Sequence, residues 1–99
     1  MEVQIKSIHF DATEKLQDFV QKKTAKLEKL CDEIQKVEVQ LTVTKPQTAV
    51  NKQAAITVKV PGNTYYAEKL SDTFEESIDG CIDALKVQLE KFKEKMRKM

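Results

Sequence analysis

The residues of this chain that could do covalent or metal chemistry are few and scattered. His9 is the single histidine, and it has no obvious carboxylate or cysteine partner. Cys31 and Cys81 belong to no CxxC or Cys/His cluster, which argues against a structural zinc site. Both cysteines fall on apolar faces of helical patterns, where a thiol packs as a small hydrophobe rather than acting as a nucleophile. Asp79 and Asp83 stand four apart on one helical face and could share a metal. Such pairs are common on charge-rich helices, and Asp79 beside Gly80 better suits helix packing or a partner contact. Val60-Pro61-Gly62-Asn63 signals a turn and not a phosphate loop, because no glycine-rich run precedes a helix. Tyr65 and Tyr66 are neighbours on a strand pattern, so one faces inward and the other outward. The outward ring could stack on a base, with strand packing the plainer role. No Ser/His/Asp set and no paired acids appear. The expectation is a protein without catalytic residues, metal or cofactor, and with no small-molecule substrate.

What remains is the placement of charge. Seventeen Lys+Arg against sixteen Asp+Glu leave a formal net charge of +1, so only the distribution of charge could point to a polyanion. Six positive charges nevertheless fall within the last fourteen residues. On a helical wheel at about 100° per residue, Lys15, Lys22, Lys26 and Lys29 share one narrow sector, and Lys23 sits beside the apolar stripe. Glu14, Glu28 and Asp32 lie mostly on the far side. In the last helical pattern Lys86, Lys93 and Arg97 form a sector beside the stripe, while Lys91 and Lys95 flank its other edge. Asp83, Glu90 and Glu94 are displaced towards solvent. Glu90 is spaced to reach Lys86 and Lys93, and Glu94 to reach Lys98. One reading is a solubilising surface, with lysines near a helix C-terminus favouring the macrodipole. The other is that two adjacent helices join their columns into a strip that docks phosphates. Composition and spacing go no further than a candidate nucleic-acid binder.

The elements that must position these residues follow from periodicity. With 99 residues, 40% hydrophobic and 33% charged, and only two glycines and two prolines, the chain reads as one folded domain over residues 1–99. Val3 and Ile5 alternate with polar neighbours in a first strand near 2–8, whose pattern slips at Ile8 and Phe10 into a bulge or turn. Asp11 or Thr13 could cap the next helix, and Asp11 with Glu14 has capping-box spacing. Leu16, Phe19, Val20, Leu27, Leu30 and Cys31 then recur at steps of three and four, which predicts a helix over about 14–31. Val37, Val39, Leu41 and Val43 alternate with polar residues in a second strand. Residues 45–53, around Pro46, read as a loop. Ile56, Val58 and Val60 mark a third strand, and Thr64 to about Lys69 a fourth. Asp72 and Glu75 have capping-box spacing before a last helix, whose stripe runs from Phe74 through Ile78, Cys81, Ile82, Leu85, Leu89 and Phe92 to Met96.

Three consecutive strands with short connections predict an antiparallel meander. Two helices with one apolar stripe each can both bury it only on the sheet's apolar face, which predicts a two-layer α+β sandwich of order β-α-β-β-β-α. MEVQIKSIHF lacks a basic region followed by an apolar run, so no signal peptide is expected. No stretch approaches the roughly 20 apolar residues of a membrane span. These features suit a cytoplasmic protein with free thiols and no membrane partner.

Two strings carry a family resemblance. FVQKKTAKLEKLCDEIQKVEVQLTV, residues 19–43, resembles the first helix and second strand of the ribosome hibernation-promoting factors. DTFEESIDGCIDALKVQLEKFKEKMRK, residues 72–98, resembles their last helix. The resemblance implies layering like that of a double-stranded-RNA-binding domain. It also implies a site on the small ribosomal subunit, in the channel that messenger and transfer RNA would occupy, from which idle ribosomes are silenced. It sets Lys23, Lys26, Lys91, Lys93, Lys95 and Arg97 against ribosomal RNA, and Lys86 fits the same surface. Lys22 and Lys29 join them from the sector on the first helix. Ala84 and Val87 stand where relatives often carry Lys or Arg, a departure that bears on the footprint of this turn and not on the location of the site. Long relatives carry an added domain that dimerises ribosomes. This chain stops at Met99 and resembles the short form, for which ribosome pairing would need a second factor, with the protein expected to be a monomer off the ribosome. A general double-stranded-RNA-binding module, a protein-interaction domain and an enzyme are the rival readings.

Overall fold

The order of elements is β1 (Glu2–Ile8), α1 (Glu14–Leu30), β2 (Lys36–Val43), β3 (Lys52–Val60), β4 (Asn63–Ser71) and α2 (Phe74–Arg97). The computed structural model describes residues 2–45, 47 and 49–97, with side chains as far as Lys95. Pro46, at the centre of the expected loop, Lys98, and the side chains of Met96 and Arg97 lie outside the described residues. The four strands form one sheet in the order β1-β2-β3-β4. β2, β3 and β4 make the antiparallel meander that the short connections require, and β1 pairs with β2 in parallel.

Register turns the alternating pattern into rows across the sheet. Val3, Val37, Val58 and Tyr65 make one inner row, Ile5, Val39, Ile56 and Ala67 the next, and Ser7, Leu41, Ala54 and Lys69 the third. Both helices bury their stripes on this face. Leu16, Val20 and Leu27 of α1 and Ile78, Cys81, Ile82, Leu85 and Leu89 of α2 complete a single core with β2 and β3. Polar groups in the core are satisfied in place. The Thr24 hydroxyl donates to Val20 O at 2.9 Å, and Ser77 Oγ donates to Lys52 O at 2.6 Å. The Cys81 thiol donates to Ala54 O at 3.3 Å. Among the described residues no buried side-chain nitrogen or oxygen lacks a partner.

The helix starts decide between the candidate caps. Thr13, not Asp11, caps α1, its Oγ1 accepting the Leu16 N–H at 3.2 Å. Thr73, not Asp72, does the same for α2 through the Glu76 N–H at 3.2 Å. In each case the residue immediately before the first helical turn holds the hydroxyl within reach of the free amides, and the aspartate stands too early. The slip after β1 is a turn. His9 adopts φ 69°, a left-handed conformation that histidine tolerates better than most residues. The reversal brings Phe10 under the sheet, where its ring stacks on Phe74 with centroids 4.6 Å apart.

β3 starts at Lys52, earlier than its apolar alternation suggests, and β4 extends to Ser71. Buried Asn51 is the reason. Its side-chain amide donates to Lys45 O at 3.1 Å, and its carbonyl accepts the Thr44 N–H at 2.9 Å. That closes the connection so that Lys52 pairs with Val43 at once. Between β3 and β4, Val60 pairs with Asn63 and leaves the two-residue turn Pro61-Gly62. Proline fixes φ near −65° and so excludes the I′ and II′ turns usual in short hairpins. Gly62 at φ +78° supplies the second centre of a type II turn. A Cβ there would meet nothing within 4 Å, so the demand for glycine is purely conformational. Gly62→Ala should therefore destabilise the fold by about 1–2 kcal/mol without displacing any neighbour, read as a lower urea midpoint with an unchanged slope.

Candidate nucleic-acid interface

Both helices run in the same direction, since each returns from the end of a strand parallel to β2. Their starts lie together, with Phe10 against Phe74 and a cleft lined by Thr13, Leu16, Phe19 and Glu75. Further along the seam, Lys23 Nζ of α1 meets Asp79 Oδ1 of α2 at 2.9 Å. The same ammonium lies 5.3 Å from the centre of the Phe19 ring. Hydrogen bonding to Asp79 raises the Lys23 pKa above its ordinary value, and the charges of Asp79 and Asp83 act in the same direction.

This contact orients the flanks of α2. Asp79, Lys86 and Lys93 are spaced by sevens and share one flank, so the flank that meets α1 is the one carrying Lys86 and Lys93. The backbone of Arg97 continues that flank. The opposite flank faces β4. Gly80 there leaves room for the Lys69 stem, whose Cγ would lie 3.0 Å from a Cβ at that position. Gln88 Nε2, on the same side, donates to Tyr66 O at 3.3 Å. Lys91 and Lys95 belong to this second flank, both exposed.

On α1, Lys15, Lys22, Lys26 and Lys29 are all exposed, in a sector adjoining the seam. The fold therefore brings Lys22, Lys26 and Lys29 to the same side as Lys86 and Lys93, and separates Lys91 and Lys95 from them by the exposed crest of α2, which carries Asp83, Val87, Glu90 and Glu94. Lys23 differs from the rest in being paired, whereas Lys86 and Lys93 share its partial burial. Among the described residues Lys22, Lys26, Lys29, Lys86, Lys91, Lys93 and Lys95 form no ion pair, so the expected pairing of Glu90 with Lys86 and Lys93 is not made. Asp79 as partner to Lys23 was not assigned from spacing. Its signal was its place on the stripe edge seven residues before Lys86, which becomes readable once the helices are known to be parallel.

Charge is graded along α2. Residues 74–85 hold four carboxylates and no base, whereas 86–97 hold five bases and two carboxylates. The outer face of the sheet is different again. Lys36 and Lys59 are directly paired across β2 and β3, and Glu38 bridges them at 3.2 and 3.7 Å. The hydrogen bond from Lys36 and the charge of Lys59 hold the Glu38 carboxyl below the usual range. Tyr65 packs inward, edge-on to Phe92 at 6.1 Å. Tyr66 is on the outer face, half exposed, with its hydroxyl donating to Glu68 Oε2 at 2.7 Å, a bond that raises its pKa.

These features define a class: a small two-layer α+β protein with unpaired lysines on two parallel helices. The sequence matches the family model described as Sigma 54 modulation protein / S30EA ribosomal protein over residues 3–97. A ribosome hibernation promoting factor of Pseudomonas putida is 33% identical over 99 residues, covering 100% of this chain and 93% of the relative. Its counterpart in Escherichia coli strain K12 is 36% identical over 97 residues, with 98% of each chain covered. A ribosomal subunit interface protein from Coxiella burnetii superposes with a TM-score of 0.83 at 26% identity, over 94% of this chain and 98% of that one. The N-terminal domain of Thermus thermophilus Protein Y shares the fold, with a TM-score of 0.79 at 24% identity over 93% and 99% of the two chains. The chain belongs to the ribosome hibernation-promoting factor family.

The remaining reactive groups stay apart from this surface. Among the described residues no group of three or more His, Cys, Asp or Glu side chains could hold a metal ion. Cys31 and Cys81 are both free and buried. Burial pushes the Cys81 thiol from 9.0 to about 11. The unfolded chain gives up that proton first as pH rises. The stabilising contribution of Cys81 is therefore full below pH 9.0 and lost as pH climbs to about 11. At pH 8 neither thiol should react with a soluble aromatic disulfide under native conditions, and both should react promptly in denaturant. Fast modification of either thiol in the folded protein would contradict this burial.

Proposed function

We propose that this protein is a cytoplasmic ribosome hibernation factor that binds the small ribosomal subunit through its basic helix faces and blocks the messenger and transfer RNA channel by its bulk. Family membership supports the hibernation role. The observation that carries the physical reading is the set of lysines on two parallel helices that form no ion pair among the described residues, most of them exposed and Lys86 and Lys93 partly so, set against a sheet face whose Lys36 and Lys59 share Glu38. Lys22, Lys26, Lys29, Lys86 and Lys93 would meet phosphates from the seam side, and Lys91 and Lys95 from the β4 side. The backbone of Arg97 continues the seam-side flank. Phosphate contacts of this kind fix position and read shape rather than base sequence. The core holds the lysine-bearing helices rigid, so the inhibitory act needs no chemical step: an occupied channel excludes its other ligands.

A general double-stranded-RNA-binding module would use similar lysines, but it would bind isolated duplexes as well as it binds assembled subunits. Cosedimentation with purified small subunits, with a duplex RNA competitor and across a salt series, separates the two. Binding should weaken by about 0.7–0.9 log unit per tenfold rise in salt for each phosphate neutralised. Replacing Lys91, Lys93 and Lys95 with Gln should weaken subunit binding, flatten the salt dependence and relieve inhibition of translation in vitro, with the circular dichroism spectrum unchanged. Full inhibition by that folded variant would refute the assignment.

A further inference from the structure

We propose that the Lys23–Asp79 ion pair is the positioning element of this interface, setting the two lysine columns against each other, and that Lys23 does not itself take up phosphate. The inference rests on the ribosomal reading above and assigns Lys23 a role different from that of its neighbours.

Three observations carry it. Lys23 is held from two sides, by the Asp79 carboxylate at 2.9 Å and the Phe19 ring at 5.3 Å, with its side chain only 24% exposed. Among the described residues no other ion pair joins the helices. Moving Lys23 to a phosphate would also leave Asp79, and Asp83 one turn further on, uncompensated beside a polyanion.

The geometry says what the pair would position. At about 1.5 Å per residue, Lys26 and Lys29 lie about 4.5 and 9 Å beyond Lys23 along α1. Lys86 and Lys93 lie about 10 and 21 Å beyond Asp79 along α2. The helices are parallel, so all four lysines lie on the same side of the pair, and their mutual spacing is counted from it. Packing on the sheet fixes the overall placement of both helices, and small shifts of roll and register across the seam are the freedom that non-directional hydrophobic contact constrains least. An ion pair between fixed points on the two helices restricts those small shifts.

The test is equilibrium binding to purified small ribosomal subunits across a salt series, well below the melting temperature of each variant. Asp79→Asn removes a negative charge from a polyanion-binding surface, so charge bookkeeping alone predicts tighter binding. Positioning predicts binding weaker on the order of 3- to 10-fold, with the salt slope unchanged. Lys23→Gln should behave in the same way, whereas Lys26→Gln should flatten the slope by about 0.7–0.9 as a lost phosphate contact. Lys23→Asp should bind poorly, and the exchanged pair Lys23→Asp with Asp79→Lys should recover most of the affinity. Tighter or unaltered binding by Asp79→Asn overturns the proposal, as does a slope lowered by Lys23→Gln. A lower melting temperature with full affinity makes the pair merely structural and overturns it too. Wild-type protein that fails to bind subunits would sink the ribosomal reading itself, an outcome distinct from these.

Discussion

Because β1 and β2 run in the same direction, the chain that joins them has to travel back along the sheet, and it does so as α1 across the apolar face. Two antiparallel steps later β4 points the same way as β2, so α2 makes the same return on the same face. The helices are therefore parallel neighbours whose starts meet at one end of the sheet. Every charged residue on their facing edges inherits its position from that arrangement. Antiparallel helices would have set the lysine-rich half of one against the acidic start of the other.

The two faces of the molecule handle positive charge in opposite ways. On the sheet, Lys36 and Lys59 stand directly opposite each other, a pairing that like charges disfavour, and Glu38 reaches both. On the helices Lys23 is the one lysine in an ion pair among the described residues. A near-neutral composition thus conceals a sheet face where two lysines share a carboxylate and two helices whose ten bases and nine carboxylates are largely segregated by position. The interior supports this division without residual polar strain. Thr24 bonds back to its own helix, while Ser77 and Cys81 bond α2 to carbonyls of β3.

Much of this was legible in the residues themselves. A period of two and a period of 3.6 separate strands from helices because burial of one face imposes them, and the lysine sectors follow from the wheel. The family resemblance supplied the ribosomal reading, which periodicity could not. Features that depend on contacts distant in sequence were hidden. Nothing local says that β1 pairs with β2 or in which direction, and Phe10 reads as an interruption until Phe74 is opposite it. Lys52 and Gln53 are polar and look like loop, yet backbone pairing started by Asn51 makes them strand. Spacing leaves the first cap open between Asp11 and Thr13 and points to Asp72 for the second, and only the first helical residue decides that the threonine hydroxyls are the groups close enough. The Lys23–Asp79 contact is hidden too, since a wheel shows the edge a residue occupies, not what waits across the seam.

The grading of charge along α2 has an effect that begins before any contact. Carboxylates gather in its first half and bases in its second, so the helix is an electric rod about 36 Å long with unlike ends. Near a polyanion such a rod feels a torque as well as a pull. Within about a Debye length, some 8 Å at physiological ionic strength, the basic end leads and the acidic end trails. Collisions would then be sorted by orientation, and productive encounters made more frequent, while the net charge of the protein stays close to zero.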